Sequence, residues 1–347
     1  MSADASARST TGEDAAPATG TAKDAGTAKD AGAARGRRPL FDVALWADWA
    51  ALIGLVVLVV VFTALDPGFL SGGNVEGMLA ASAALLVLAV AQTFVVATAG
   101  IDLSIASVMT LGIVVLGQLH QAGQPLAVAM GGAVVAGLLA GVVNGLLVAK
   151  AKITDFVVTL GMLSAASGLA LILSDGQPVT ITEKFFFTVS LDGPVPLVSW
   201  IVVVAIVIAA IAHVVLFHTR FGTHVLATGG NPEAASATGI STARVKIAVY
   251  AIAGLLAGVA AIIVVTRLGS TPPAANTTYL LNSVAAVVLG GVSLFGGRAS
   301  ILGPIFGALL LTVLLNGLTT LGVSQYYQPL SVGVVVVAAA FLMRFQK

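Results

Sequence analysis

The sequence predicts an all-α fold, a polytopic transmembrane helical bundle of about ten spans with both termini cytoplasmic, and three observations carry this prediction. Only 9% of the 347 residues are charged and 58% are hydrophobic. Soluble domains carry about a quarter charged residues, so this chain has too little polar surface to cover a water-soluble globule. Its apolar runs recur at close to the roughly 20 residues that cross a bilayer as one helix. Finally, Lys and Arg gather in alternate loops, as the positive-inside rule requires.

Residues 1–40 are rich in Ala, Gly, Thr, Ser and Asp, and TAKDAG occurs twice, at Thr21–Gly26 and Thr27–Gly32. Such a stretch lacks the apolar surface that would offset ordering entropy, so a disordered cytoplasmic tail is expected. Arg35, Arg37 and Arg38 close it and read as a positive-inside anchor rather than a twin-arginine export signal. No small-residue cleavage site follows, so the first apolar run is expected to stay in the membrane.

The membrane domain, 41–347, is expected to hold spans near 47–65, 77–99, 101–120, 126–149, 155–174, 196–217, 246–266, 281–295, 299–321 and 327–344. With the amino terminus inside, Lys150, Lys152, Arg220, Arg244, Lys246, Arg298, Arg344 and Lys347 fall in inner segments, and only Lys184 and Arg267 fall outside. An even count returns the carboxyl end to the cytoplasm. Two stretches strain the count. Leu281–Phe295 is short for a span, and Gly290/Gly291 with Gly296/Gly297 invite a break or re-entrant turn. Ala99–Asp102 is a junction without a basic residue, which also reads as a helix interruption inside the bilayer.

Within the spans, Gly137, Gly141 and Gly145, then Gly254 and Gly258, then Gly303 and Gly307, recur at four-residue spacing, which lets helix backbones approach closely in lipid. Asp102 opens an apolar run as GIDLS. It has two readings: with Ser104 it accepts backbone N–H bonds at a helix start, or it lines a path. Gln92, Thr93, Asn144, Thr159, Ser164, Asn282, Ser283 and Asn316 are further polar groups in or beside spans. Singly, each reads as an interhelical hydrogen bond; together, their amides and hydroxyls would suit hydroxyl-rich cargo. The tentative path set is Gln92, Thr93, Asp102, Ser104, Asn144, Asn282 and Asn316.

The longest inner loop, Phe217–Lys246, reads FHTRFGTHVLATGGNPEAASATGISTARVK. Asn231 is a good N-cap, Pro232 suits the first turn and Gly239 a helix stop, so a short surface helix is expected between them. Taken with TAGIDLSIASVMTLG from Thr98, NGLLVAKAKITDFVVTLGMLSAASGLALIL from Asn144 and AAVVLGGVSLFGGRASILGPIFGALLL from Ala285, this stretch resembles the permease subunit of bacterial ATP-binding-cassette importers for ribose and related simple sugars. That family is also similar to branched-chain amino acid permeases. The resemblance covers about residues 45–345 and departs only in the long polar tail.

The resemblance implies that Glu233, Ala234, Ala235 and Gly239, capped by Asn231, form the coupling helix, within a loop of residues 218–245 that docks on the ATPase. It implies four partners: an identical second permease, a cytoplasmic ATPase carrying ATP and magnesium, an extracytoplasmic sugar-binding protein and the lipid of a bacterial cell membrane. Nothing in the chain itself contradicts this. There is no G-x-x-x-x-G-K-[ST] loop, so the ATPase must be another chain, and neither an H-E-x-x-H helix nor a G-x-S-x-G elbow occurs. Cysteine is absent, and His120, His213, His218 and His224 form no ligand cluster, so no metal or cofactor is expected. A net charge of +1 gives no field for nucleic acid. The alternative is an ATP-independent secondary carrier or channel, but Asp102 is nearly the only intramembrane ionisable group available for ion coupling.

Overall fold

The computed structural model describes residues 43–274 and 276–344, so the expected tail of residues 1–40 lies outside the described residues. The helices, in chain order, are α1 (Val43–Leu65), α2 (Gly72–Ala97), α3 (Ile105–Gln121), α4 (Leu126–Ala149), α5 (Asp155–Ser174), α6 (Lys184–Leu191) and α7 (Trp200–His218). They continue as α8 (Arg220–Gly230), α9 (Pro232–Ala237), α10 (Thr242–Leu268), α11 (Thr277–Leu289), α12 (Leu302–Thr320) and α13 (Gln328–Arg344). Among the described residues six of these, α2, α4, α5, α7, α10 and α12, are long and apolar enough to cross a membrane. Trp49–Leu65, Ile105–Gln121 and Thr277–Leu289 are shorter apolar helices.

Long apolar helices occupy different environments, and on the partly exposed ones small residues mark the inward face. In α2 the run from Ser82 to Ala97 is buried on every side, against α10, α12, α7 and α11. A helix apolar all round belongs in such a core or in lipid. α7 takes the lipid option on one side: Ala205, Ala209 and Ala212 face the protein, whereas Ile206, Val207, Ile211 and Val214 face outward. In α4 the inward face is again small: Ala129, Ala133, Gly137, Ala140, Gly141 and Gly145.

The glycine stripes do what their spacing predicts. A Cβ added at Gly137 would overlap the Gly254 carbonyl, and one at Gly141 the Tyr250 carbonyl, so α4 and α10 touch backbone to backbone. Gly303 meets Gly290 and Gly307 meets Ala286 in the same way, clamping α12 on α11.

Two expectations need correction, and the all-α expectation gains one small ribbon among the described residues. The span expected at 281–295 is α11, which starts at Thr277 and stops at Leu289; its last turn closes on Gly290, pressed against Gly303 and Pro304, and residues 290–301 run without helix. At about 1.5 Å per residue this helix is about 20 Å long, shorter than the roughly 30 Å apolar core of a bilayer, so a crossing here includes non-helical chain. The loop 218–245 holds two helices rather than one, because Thr219 caps α8 by accepting from the Gly222 N–H. The fold is all-α except for one antiparallel ribbon, β1 (Val179–Thr180) on β2 (Ser270–Thr271), which ties the chain after α5 to the chain after α10.

Candidate functional site

Between α2 and α3 the chain leaves the helix for residues 98–104, and Ala99 adopts a positive φ of 58°. Four helices secure this break. The Asp102 carboxylate, 2% exposed, accepts the Ser104 N–H at 2.8 Å and the Ser104 hydroxyl at 2.6 Å. Ser104 Oγ in turn accepts Asn144 Nδ2 of α4 at 2.9 Å, and Gln92 Nε2 of α2 donates to the Asp102 carbonyl at 3.3 Å. The Ile101 carbonyl accepts Thr159 Oγ1 of α5 at 3.3 Å and Tyr250 OH of α10 at 3.4 Å. These bonds satisfy the freed backbone inside the protein, which is what an irregular segment at membrane depth requires. Of Asp102's two readings, the local geometry matches the helix-start one: its carboxylate is engaged by Ser104, the residue that precedes α3.

Beside the break, Asp155 at the start of α5 faces Lys246 near the start of α10, with Nζ 3.6 Å from Oδ1. A Cβ at Gly100 would come within 2.7 Å of Asp155 Oδ2 and 3.0 Å of Tyr250 OH. The sequence reading missed Asp155 and Tyr250 and counted Lys246 only as a topological charge. The available signal was Lys246 and Tyr250 four residues apart on one helix face.

The break also touches two other backbones. The Ala97 carbonyl accepts the Gly297 N–H at 3.1 Å, and a Cβ at Gly229, the penultimate residue of α8, would overlap that same carbonyl. A Cβ at Gly296 would lie 2.7 Å from both the Ala99 nitrogen and the Gly229 carbonyl oxygen. One at Gly297 would lie 2.7 Å from Gly230 Cα. The end of α2, the end of α8 and the helix-free segment 290–301 therefore meet with no side chain between them.

From that junction the chain turns directly into α9. Asn231 Oδ1 accepts the Glu233 and Ala234 N–H groups at 3.0 and 2.9 Å, capping the helix as its position predicts. Gly239, at φ +87°, ends it while the Gly239 and Ile240 N–H groups return to Ser236 and Ala235. Of this helix only Ala235 is buried; Asn231, Glu233, Ala234 and Gly239 are exposed.

The tentative path set does not stay together. Gln92, Asp102, Ser104 and Asn144 form the cluster at the break, but Thr93 bonds the Ala89 carbonyl of its own helix. Asn316 exchanges reciprocal bonds with Asn74 at 3.0 and 3.1 Å, stapling α12 to α2. Asn282 lies on α11 beside a cavity at the ribbon end of the bundle. Ser164 and Ser283 bond within their own helices. No group of three or more His, Cys, Asp or Glu able to hold a metal occurs among the described residues.

The chain matches the family described as Branched-chain amino acid transport system / permease component over residues 74–340. It is 38% identical over 313 residues to the ribose import permease protein RbsC of Escherichia coli strain K12, covering 88% of this chain and 96% of the relative. Identity is 37% over 300 residues to the RbsC protein of Bacillus subtilis strain 168, at 84% and 91% coverage. It is 34% over 296 residues to the L-arabinose ABC transporter permease protein AraH of Azospirillum brasilense, at 84% and 87%. No solved structure matches. Long apolar helices, a helix break sealed inside the bundle and a full-length match to these permeases converge on one identity: the chain belongs to the ATP-binding-cassette importer permease family, as a multi-pass, non-catalytic transport subunit of the bacterial inner membrane.

Proposed function

We propose that this permease forms the translocation path of a sugar importer, taking a ribose-like monosaccharide from an extracytoplasmic binding protein and coupling its passage to a separate ATPase that binds ATP and magnesium. A second, identical copy completes the path. The relatives named for ribose and L-arabinose support the cargo, and the uncharged amides and hydroxyls within the spans suit it. α9, in the coupling segment 218–245, is the ATPase handle, with Glu233 at its dipole's positive end, Asn231 as cap and Gly239 as stop.

The observation that carries the coupling is the continuity from α9 through Gly229 and Gly230 to the Asp102 break. Displacing α9 moves the α8 end, and backbone packing without side-chain slack passes that shift to α2 and to residues 290–301. ATP binding and release would bias two such arrangements, giving alternate outward and inward access.

In the proposed topology α1, α3, α11 and α13 join the six long helices to make ten crossings, with both termini cytoplasmic and the ribbon end outside. The basic residues in the inner segments support this orientation. Single cysteines in the cysteine-free chain test it: positions from Asp175 to Asp192 should label from outside, and positions from Asn231 to Gly239 should be protected. The reverse pattern would remove both the orientation and the docking assignment.

A further inference from the structure

Around the amino end of α11 the ribbon end of the bundle is hollow on both sides. One cavity, of about 270 Å³, lies between α3, α10 and the 271–278 segment, with Thr110, Thr271, Asn276, Thr277 and Thr278 on its wall. The other, of about 390 Å³, lies between α11, α12 and the start of α13 and is lined by Thr277, Thr278, Asn282, Gln325, Tyr326 and Gln328. Thr277 and Thr278 belong to both, so the cavities adjoin across the first turn of α11. The larger falls in the roughly 300–1,000 Å³ range of small-molecule sites.

Each cavity contains a deeply buried polar side chain that the protein leaves unpaired. Asn282 is 5% exposed, and its amide makes no hydrogen bond among the described residues. Thr271 is 7% exposed, and its hydroxyl oxygen is buried without a partner. Mostly buried polar side chains are normally hydrogen-bonded, so an unengaged amide and hydroxyl at the cavity walls are available to a ligand. Charge narrows the ligand class. No Lys, Arg, His, Asp or Glu lines either cavity among the described residues. A zwitterionic amino acid would leave its ammonium and carboxylate without counter-charges there, whereas a neutral polyol needs only amides and hydroxyls, which both donate and accept. Tyr326 and Pro329 at the wall add apolar surface for the C–H face of a ring.

The geometry points to a vestibule at the amino end of α11 that binds a neutral monosaccharide, with Asn282, Thr271, Thr277 and Thr278 exchanging hydrogen bonds with its hydroxyls before it enters the path. This rests on the sugar-importer reading and adds a site to it. Gln325 is exposed at the mouth and serves as reporter. Gln325→Cys is introduced into the otherwise cysteine-free chain. It is assembled with its ATPase and binding protein in right-side-out vesicles and labelled with a membrane-impermeant thiosulfonate, with D-ribose, L-arabinose, D-allose, D-fructose or L-leucine as probes. At millimolar concentration at least one of the sugars should slow labelling by about threefold, as two-thirds occupancy requires, and L-leucine should not. Adding Asn282→Leu should remove the protection, and adding Asn282→Ser, which restores a donor and an acceptor, should retain it.

The vestibule is overturned if the assembly imports a sugar that never protects Gln325→Cys, or if protection survives Asn282→Leu unchanged. Protection by sugar-free binding protein alone, with no effect of any sugar, would assign the mouth to protein docking and also overturn it. If the full assembly imports none of the sugars, the importer reading itself fails and takes the vestibule with it.

Discussion

The two ends of this molecule are built to opposite specifications. At the end where α8 meets the break after α2, Ala97, Gly229, Gly230, Gly296 and Gly297 meet backbone to backbone, and a methyl group added at Gly229, Gly296 or Gly297 would clash. At the ribbon end, two cavities flank α11, and Gly73 at the start of α2 has nothing within 4 Å of where a Cβ would stand. Close packing transmits displacement because packed groups cannot yield separately, whereas a ligand needs space and unpaired polar groups. The contrast teaches that a glycine's role is set by its neighbours: a close backbone approach requires Gly229, whereas Gly73 has room for a side chain.

The strongest way to break this comparison is to substitute both glycines alike. Gly229→Val should destabilise the permease by about 1–3 kcal/mol through overpacking and abolish uptake, whereas Gly73→Val should stay within about 0.5 kcal/mol of the unmodified chain. Thermal denaturation and uptake at matched membrane abundance read both. Unimpaired transport by Gly229→Val would mean that the glycine junction has slack. Next in size, Glu233→Lys should weaken ATPase association about tenfold, or about 1.4 kcal/mol, by reversing the charge at α9's amino end. Gly239→Leu should cost about 1–2 kcal/mol locally by forcing a side chain into the left-handed region. Both should insert normally in the membrane; normal ATPase binding and normal uptake by both would remove the coupling assignment.

The smallest effect sharpens the contrast at the ribbon end, where Asn74 and Asn316 pair across α2 and α12. A double-mutant cycle of Asn74→Ala and Asn316→Ala should return a coupling near 0.6 kcal/mol, the usual scale for polar pairs between membrane helices. A value near zero would leave the contact between α2 and α12 there held by apolar packing alone.

Local signals in the sequence were legible where the chain itself supplies the physics. The expected spans 126–149 and 155–174 coincide with α4 and α5, and the Asn231 cap and Gly239 stop of α9 stand where their side-chain chemistry dictates. What escaped depends on distant partners. α8 was hidden because its cap, Thr219, is the single residue between it and α7 and leaves no linker to mark a new helix. The Gly229 and Gly297 meeting has no periodicity, since its members lie on separate elements. The tentative path set mixed two populations for the same reason: polarity within a span does not reveal whether a side chain finds its partner in its own helix, as Thr93 does, across the bundle, as Asn316 does, or nowhere, as at Asn282.

The all-round burial of α2 bears on how the protein is made. As the chain emerges, α2 enters the bilayer long before α7, α10 and α12 exist, so its final neighbours are at first lipid tails. An apolar helix tolerates that wait; the polar side chains of its buried run, Ser82, Gln92 and Thr93, need partners of their own, and Ser82 bonds the Leu79 carbonyl of the same helix. Thr93 bonds its own helix, and Gln92 reaches the carbonyl of Asp102, only ten residues downstream. The Thr93 hydroxyl and the Gln92 Nε2 are thus engaged by chain made before α7, α10 and α12 close around the central helix.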